Sequence, residues 1–184
     1  MLRRVVVGDN ERVFLIRKGR FEDVLVPGDY WIVGLGVTLE RYDMKGLALV
    51  SDWTDFLVRE RWELVCRHFT LVETRDSEVA VVYFDETVAR VVGPGQRVLF
   101  WRGRREVTYD VIDAQSNPQV PAMLTPAIER LGGDSQAVVV VVEAGKRGLL
   151  YRNGHLDREL EPGTFAFWKG EVSSAYRKPP PTDV

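Results

Sequence analysis

The chain has 184 residues, of which 45% are hydrophobic and 28% are charged, and its formal net charge is −2. This composition excludes a disordered, collagen-like or simple coiled-coil chain and is typical of a globular domain. Balanced charge argues against a nucleic-acid partner. A single cysteine, Cys66, excludes an internal disulfide and a cysteine-based zinc site. The longest apolar run, residues 137–142, is too short to span a membrane.

The first predicted unit spans residues 8–34 and consists of a β-hairpin followed by a third strand. Its first strand ends at Arg17, and Lys18-Gly19 then supplies a two-residue turn. The second strand ends at Pro27-Gly28, a pair that fits the centre of a type II turn. Because an aromatic strand, Tyr30–Ile32, follows directly, the pattern predicts a three-stranded antiparallel meander.

A helix is predicted near residues 52–68. Ser51 or Asp52 would cap its first turn, and acidic side chains there suit the positive end of the helix dipole. Trp62 would widen its apolar face. The apolar residues at helical spacing are Trp53, Phe56, Leu57 and Leu64.

A second copy of the hairpin unit spans residues 76–103, at an offset of 67 positions. Asp85-Glu86 occupies its turn, and Pro94-Gly95 occupies the Pro-Gly position. A basic cluster, Arg102, Arg104 and Arg105, begins just after Trp101. We interpret this cluster as a solvated hairpin end, with a contact to acidic lipid or nucleic acid as the alternative.

A second helix is predicted over residues 118–131. Pro126 must kink or restart this helix, with Thr125 as its cap, and Gly132-Gly133 ends it. The apolar run that begins at Ala137 and reaches Glu143 then predicts a buried strand that leads into the third copy.

The third copy spans residues 143–170 and resembles the first most closely. Asn153-Gly154 is the strongest hairpin signal in the chain, and Pro162-Gly163 fills the Pro-Gly position. An extended, proline-rich tail is predicted for residues 177–184. Seven residues are identical between the first and third copies at an offset of 135: Arg12/Arg147, Leu15/Leu150, Arg17/Arg152, Gly19/Gly154, Leu25/Leu160, Pro27/Pro162 and Gly28/Gly163.

This repeated pattern resembles the opening hairpin of the stomatin/prohibitin (SPFH) superfamily. The stretches GDNERVFLIRKGRFEDVLVPGDYWI and EAGKRGLLYRNGHLDRELEPGTFAFW carry the likeness. Over residues 5–170 the chain is similar to the N-terminal region of bacterial slipin-type homologues, without the rest of the stomatin domain. A looser likeness links it to the β-repeats of vault-shell proteins. Both resemblances imply a scaffold that assembles through protein–protein contacts.

Catalytic and metal-binding patterns are weak in this sequence. Cys66 and His68 would point to different sides of a helix, and His155 follows a turn, so we expect no catalytic residue, cofactor or metal site. Trp31, Trp101 and Trp168 accompany the third strands. They are interpreted as sheet packing or, alternatively, as contacts between subunits.

We therefore expect a β-rich α+β protein: one domain over residues 1–176, with three meander repeats and two helical inserts. The expected function is a non-catalytic assembly or regulatory module whose partners are proteins, a second copy of the chain included. The alternative is a small-molecule or peptide-binding domain with an aromatic-lined pocket between hairpins. The expected location is the cytoplasm, with peripheral association at the inner membrane left open.

Overall fold

The computed structural model describes residues 2–103, 105–152 and 154–169, and the backbone of residues 173–177. Antiparallel strands dominate it, which confirms the β-rich α+β class. The described strands are β1 Leu2–Val7, β2 Glu11–Arg17, β3 Arg20–Leu25, β4 Gly28–Val33, β5 Val37–Asp43, β6 Phe69–Glu73, β7 Glu78–Phe84, β8 Thr87–Val92, β9 Arg97–Trp101, β10 Val107–Asp113, β11 Ala137–Val142, β12 Arg147–Arg152, β13 His155–Leu160, β14 Gly163–Trp168 and β15 Ser173–Arg177. The described helices are α1 Thr54–Glu60, α2 Trp62–His68 and α3 Thr125–Leu131.

One five-strand arrangement occurs three times, in β1–β5, β6–β10 and β11–β15. In each repeat the first strand pairs with the fourth, and the second strand pairs with both the third and the fifth. The aromatic strand after Pro-Gly therefore pairs with the strand before the hairpin, which differs from the predicted meander. The two resulting sheets can bury apolar faces against each other, which a single three-stranded sheet cannot do.

The hairpin turns are those that the sequence predicts. Lys18 and Gly19 have φ angles of 49° and 73°, and Asp85 and Glu86 have φ angles of 48° and 65°. Positive φ at both central residues defines a type I′ turn, whose twist matches that of the flanking strands. Gly154 has a φ of 79°, whereas Asn153 lies outside the described residues.

Each hairpin also contains an irregularity at the same place in the repeat. The pairing register shifts once in each hairpin, where an extra residue is inserted into the second strand. The shifts lie between Leu15/Ile16, Val82/Tyr83 and Leu150/Tyr151. Matching bulges support an internal repeat independently of the residue identities.

The Pro-Gly pairs differ from the predicted type II turn in two of the three copies. Gly28 and Gly163 have φ angles of 153° and 155° and are the first residues of β4 and β14. Only Gly95, with a φ of 64°, approaches the type II value. A β-carbon at Gly28 would lie 3.5 Å from the ring of Tyr30, and one at Gly163 would lie 3.6 Å from the ring of Phe165. In the first and third copies, Pro-Gly thus starts an aromatic strand rather than closing a tight turn.

The helix predicted over residues 52–68 is two helices, because the backbone leaves helical geometry at Arg61 (φ −133°). The guanidinium of Arg61 donates hydrogen bonds to the carbonyl oxygens of Phe21 (3.3 Å) and Glu22 (3.1 Å). These bonds fix the break against β3. Ser51 lies upstream of α1, where its hydroxyl accepts a bond from the Trp53 backbone N–H (3.2 Å).

The helix predicted over residues 118–131 is also shorter, because its first residues are extended and pair with β14. The N–H of Val120 bonds to the carbonyl of Ala166 (2.9 Å), and the N–H of Trp168 bonds to the carbonyl of Pro118 (2.9 Å). α3 begins at Thr125, with Pro126 in its first turn, and ends at Gly132 (φ 58°) as predicted. β15, which the sequence analysis did not predict, pairs with β12.

The chain divides into two compact units, and the first contains residues 1–72 and 97–107. It holds the sheets β1-β4, β3-β2-β5 and β6-β9 together with α1 and α2. The second and third sheets enclose a hydrophobic cluster, here called core 1. Its buried residues are Phe14, Ile16, Phe21, Val24, Met44, Leu49, Leu57, Leu64, Val65, Phe69, Leu99 and Trp101.

The second unit contains residues 73–96 and 108–184. Its sheets are β10-β7-β8, β11-β14 and β13-β12-β15, and its α-helix is α3. A second cluster, here called core 2, lies between the first two of these sheets. Its buried residues are Val79, Val81, Val91, Ala114, Val120, Ile128, Ala137, Ala166 and Trp168.

A glycine in β12 marks a close approach within the second unit. A β-carbon at Gly148 would lie 2.9 Å from Cγ2 of Val142 and 3.2 Å from Cβ of Leu160. We expect Gly148→Ala to destabilise the protein by about 1 to 3 kcal/mol, because this site is already filled. Urea denaturation measures the loss. Gly133→Ala is the matched control, since nothing lies within 4 Å of its β-carbon position, and an equal loss there would contradict the packing argument.

Candidate interaction surface

The three tryptophans have different environments. Trp101 and Trp168 are 1% and 0% exposed and belong to core 1 and core 2, whereas Trp31 is 65% exposed. The subunit-contact interpretation is therefore wrong for Trp101 and Trp168, because no partner can reach these side chains in the folded chain. It remains open for Trp31. The indole N–H of Trp168 has no hydrogen-bond partner among the described residues, although a buried tryptophan usually has one.

Trp31 belongs to an exposed, mainly apolar sheet face. Because side chains alternate along β1 and β4, Val5, Val7 and Ile32 lie in a buried cluster, and the residues between them point to the opposite side of the sheet. Leu2, Trp31 and Val33 are 59%, 65% and 64% exposed on this outer side. We call this surface the β1/β4 face; its residues are Leu2, Arg4, Val6, Asp29, Trp31 and Val33.

The strand register defines the geometry of the β1/β4 face. Leu2 pairs with Val33, and Arg4 pairs with Trp31. Arg4 also forms an ion pair with Asp29 on the same face, at 3.0 Å between Nη2 and Oδ2. An apolar patch beside an exposed ion pair has the composition of a protein–protein contact with a polar rim.

Trp31 is the one residue of this surface that was predicted from the sequence as a contact residue. Leu2 and Val33 were missed because the pairing of β1 with β4 was not predicted. The alternation of LRRVVV, with Leu2 and Val6 on one side and Val5 and Val7 on the other, was the available signal.

The basic cluster is partly engaged within the chain. Arg102 donates hydrogen bonds to the carbonyl of Cys66 (2.8 Å) and the hydroxyl of Thr70 (3.2 Å). These bonds tie the end of β9 to the end of α2, so Arg102 has a structural role. Arg105 also has an interaction within the chain, and Arg104 lies outside the described residues.

The residues considered for catalysis are not brought together. Cys66 is exposed on α2, while His68 is half-buried at the end of that helix. Burial lowers the pKa of His68, and the neighbouring Arg67 lowers it further. Among the described residues, no group of three or more His, Cys, Asp or Glu side chains has an arrangement that could hold a metal ion.

A polar cluster that sequence reasoning missed lies at the margin of core 1. The phenol of Tyr42 donates to Oε2 of Glu40 (2.8 Å) and lies 2.9 Å from the Ser51 hydroxyl. The indole N–H of Trp53 reaches the other carboxylate oxygen of Glu40 at 3.5 Å. Burial raises the pKa of Tyr42 to about 12, and the adjacent Glu40 adds to this effect. A phenol with this pKa is a hydrogen-bond donor at neutral pH, which favours a structural role.

The shift at Tyr42 predicts an alkaline dependence of stability. The folded-state pKa of about 12 exceeds the ordinary 10.0, so the unfolded chain releases this proton first. The stabilisation is fully present below about pH 10 and is lost as the pH rises toward about 12. When the pH is raised from about 8 to about 11, the free energy of unfolding should fall less in Tyr42→Phe than in the wild type, as urea denaturation measures. Tyr109→Phe, on an exposed residue, is the control, and equal losses in wild type and Tyr42→Phe would contradict this assignment.

The clefts of the described part of the chain include four of about 340, 150, 360 and 430 Å³. Trp and Tyr are absent from the linings of these four clefts, and Phe165 is their one aromatic residue. They do not match the aromatic pocket of the alternative function. The 150 Å³ cleft is lined in part by Ile32, Leu35 and Leu39, and Ile32 and Leu39 belong to the buried cluster on the inward side of β1 and β4.

Comparison with known proteins adds no relative: no family model, curated protein or solved structure matches the chain. The fold and surface define the class as a β-rich α+β protein with a threefold repeat of a five-strand unit. No helix in the described ranges is long and apolar enough to cross a membrane.

Proposed function

We propose that this protein is a non-catalytic assembly or regulatory module that binds protein partners, as its resemblance to the N-terminal region of slipin-type proteins suggests. The exposed apolar β1/β4 face is the observation that carries the proposal. Trp31 lies near its centre, opposite Arg4. Tryptophan and arginine are the residue types most enriched among interface residues that dominate binding energy.

The free energy of removing apolar surface from water favours a partner that covers the β1/β4 face. Exposed apolar side chains are common singly, but a contiguous apolar patch on a sheet face usually marks a binding site. Leu35, in the loop after β4, is another strongly exposed apolar side chain, at 74%. Burying these side chains contributes about 25 cal/mol for each Å² of apolar surface removed from water.

Site-specific photo-crosslinking in the source cells tests the proposal. A photoreactive phenylalanine analogue replaces Trp31 in one variant and Val50 in a control, since Val50 is exposed (86%) but belongs to neither β1 nor β4. We expect discrete protein adducts from position 31 and none, or different ones, from position 50. Mass spectrometry of the adducts distinguishes a second copy of the chain from another protein. Identical adduct patterns from the two positions would refute the proposal.

A further inference from the structure

The two units share one type of internal interface. In the first unit, one face of sheet β3-β2-β5 points away from sheet β1-β4, and we call it the outer face. This outer face packs against sheet β6-β9 to form core 1. In the second unit, the outer face of sheet β10-β7-β8 packs against sheet β11-β14 to form core 2. In both cases the three-stranded sheet of one repeat covers the two-stranded sheet of the next repeat.

The β1/β4 face is the first member of this series of two-stranded sheets. Its register is the same as that of β11-β14 at an offset of 135: Leu2↔Val33 corresponds to Ala137↔Trp168. Arg4↔Trp31 likewise corresponds to Val139↔Ala166. Ala137, Ala166 and Trp168 are buried in core 2 beneath a three-stranded sheet. The β1/β4 face therefore has the position that such a sheet covers elsewhere in the chain.

The complementary surface is present at the other end of the series. Ile16↔Phe21 pair on the outer face of sheet β3-β2-β5 and are buried in core 1. Their counterparts in sheet β13-β12-β15 are Tyr151↔Leu156, and the counterpart of Phe14 is Leu149. Leu156 is 54% exposed, and Leu149 and Tyr151 are half-buried. We call this surface the β12/β13 face.

We propose that the chain self-associates head to tail, with the β12/β13 face of one copy covering the β1/β4 face of the next. This inference rests on the proposed function and names its partner, a second copy of the same chain. It extends to two molecules an interface that the chain already uses twice within itself. Because the two faces differ, the contact is heterologous and leaves one free face at each end.

The polar residues of the two faces fit this arrangement. Glu159 takes the place on the β12/β13 face that Val24 has in core 1. Arg4 takes the place on the β1/β4 face that Val139 has beside core 2. The intermolecular contact thus has Glu159 on one face and the Arg4–Asp29 ion pair on the other, where the internal contacts have the apolar residues Val24 and Val139. Such a replacement suits a contact between separate molecules, which must also be soluble apart.

A complementation experiment with purified full-length chains tests the proposal. Trp31→Glu blocks the β1/β4 face, and Leu156→Glu blocks the β12/β13 face; the two blocked faces repel each other. Val50→Glu is the matched control on an exposed residue outside both faces. Mass in solution is measured by size-exclusion chromatography with light scattering across a concentration series.

The expected result has three parts. The wild type and Val50→Glu form species larger than the monomer as concentration rises. Each blocked variant alone remains monomeric, with association weakened by about 30-fold or more. An equimolar mixture of Trp31→Glu and Leu156→Glu forms dimers and nothing larger, because each dimer joins the two intact faces and ends in two blocked ones.

Other outcomes overturn the inference. A wild type that associates while the mixture stays monomeric indicates a like-with-like contact or a different surface. A wild type that is monomeric up to about 1 mM excludes self-association of useful strength. In that case, crosslinks from position 31 to another protein would still support the proposed function. If the chain neither self-associates nor forms such crosslinks, the self-association proposal and the proposed function are both refuted. Circular dichroism checks folding, and Val33→Glu and Leu149→Glu are the second pair if either variant unfolds.

Discussion

Replacing Trp101 or Trp168 with alanine is expected to destabilise the protein by about 3 to 5 kcal/mol, whereas Trp31→Ala should change the free energy of unfolding by no more than about 0.5 kcal/mol. Both buried indoles fill the space between two sheets, and truncation leaves a cavity that the surrounding strands cannot close. The Trp101 ring centroid lies 4.3 Å from that of Phe69 and 5.9 Å from that of Phe14. Trp31 has most of its surface in water already.

Urea denaturation followed by circular dichroism measures these differences, and the protein concentration must be low. If copies of the chain associate, Trp31→Ala also lowers the apparent stability at high concentration, because association stabilises the folded chain by mass action. A large loss at low concentration would contradict the exposure of Trp31. A loss that grows with concentration would instead support the use of the β1/β4 face as an interface.

The hairpins could be predicted from the sequence because their determinants are local. A type I′ turn requires positive φ at two adjacent residues, and Lys18-Gly19 meets that requirement directly. The repeat was equally visible, since identical residues recur at a constant offset. Even Asp85-Glu86, without a glycine, was correctly assigned from its position in the repeat.

The strand pairing and the burial of the tryptophans could not be predicted, because both depend on residues distant in the chain. The pairing of β1 with β4 joins strands separated by a whole hairpin. Trp31 and Trp168 both follow a Pro-Gly pair within an aromatic strand, so local sequence gives no reason for different exposure. The difference arises because another sheet packs on Trp168, while nothing described packs on Trp31.

The helix breaks have the same explanation. Arg61 is an ordinary helical residue by propensity, yet its guanidinium bonds to two carbonyl oxygens of β3, which hold the backbone out of helical geometry. Trp62, expected to widen an apolar face, instead lies 52% exposed just after this break. Helical periodicity predicted a helical segment correctly but was wrong about its continuity.

Leu57→Ala in α1 and Ile128→Ala in α3 are each expected to cost about 2 to 5 kcal/mol, because both side chains are fully buried and belong to core 1 and core 2. Trp62→Ala is the control: it removes a larger side chain from α2, but an exposed one, and should cost far less. Thermal or urea unfolding measures all three. A small loss for both Leu57→Ala and Ile128→Ala would show that the helices are attached to the repeats without supporting them.

A large loss of stability in Leu57→Ala and Ile128→Ala would establish that the helical inserts, α1 with α2 and α3, are part of the interfaces between successive repeats. Core 1 and core 2 contain different helices, yet each places a buried aliphatic side chain between a three-stranded and a two-stranded sheet. The sheets alone would then leave space that the insert fills. An intermolecular contact between the β12/β13 and β1/β4 faces would lack α1, α2 and α3 from that position. It should therefore be weaker and more readily reversed than the two contacts within the chain.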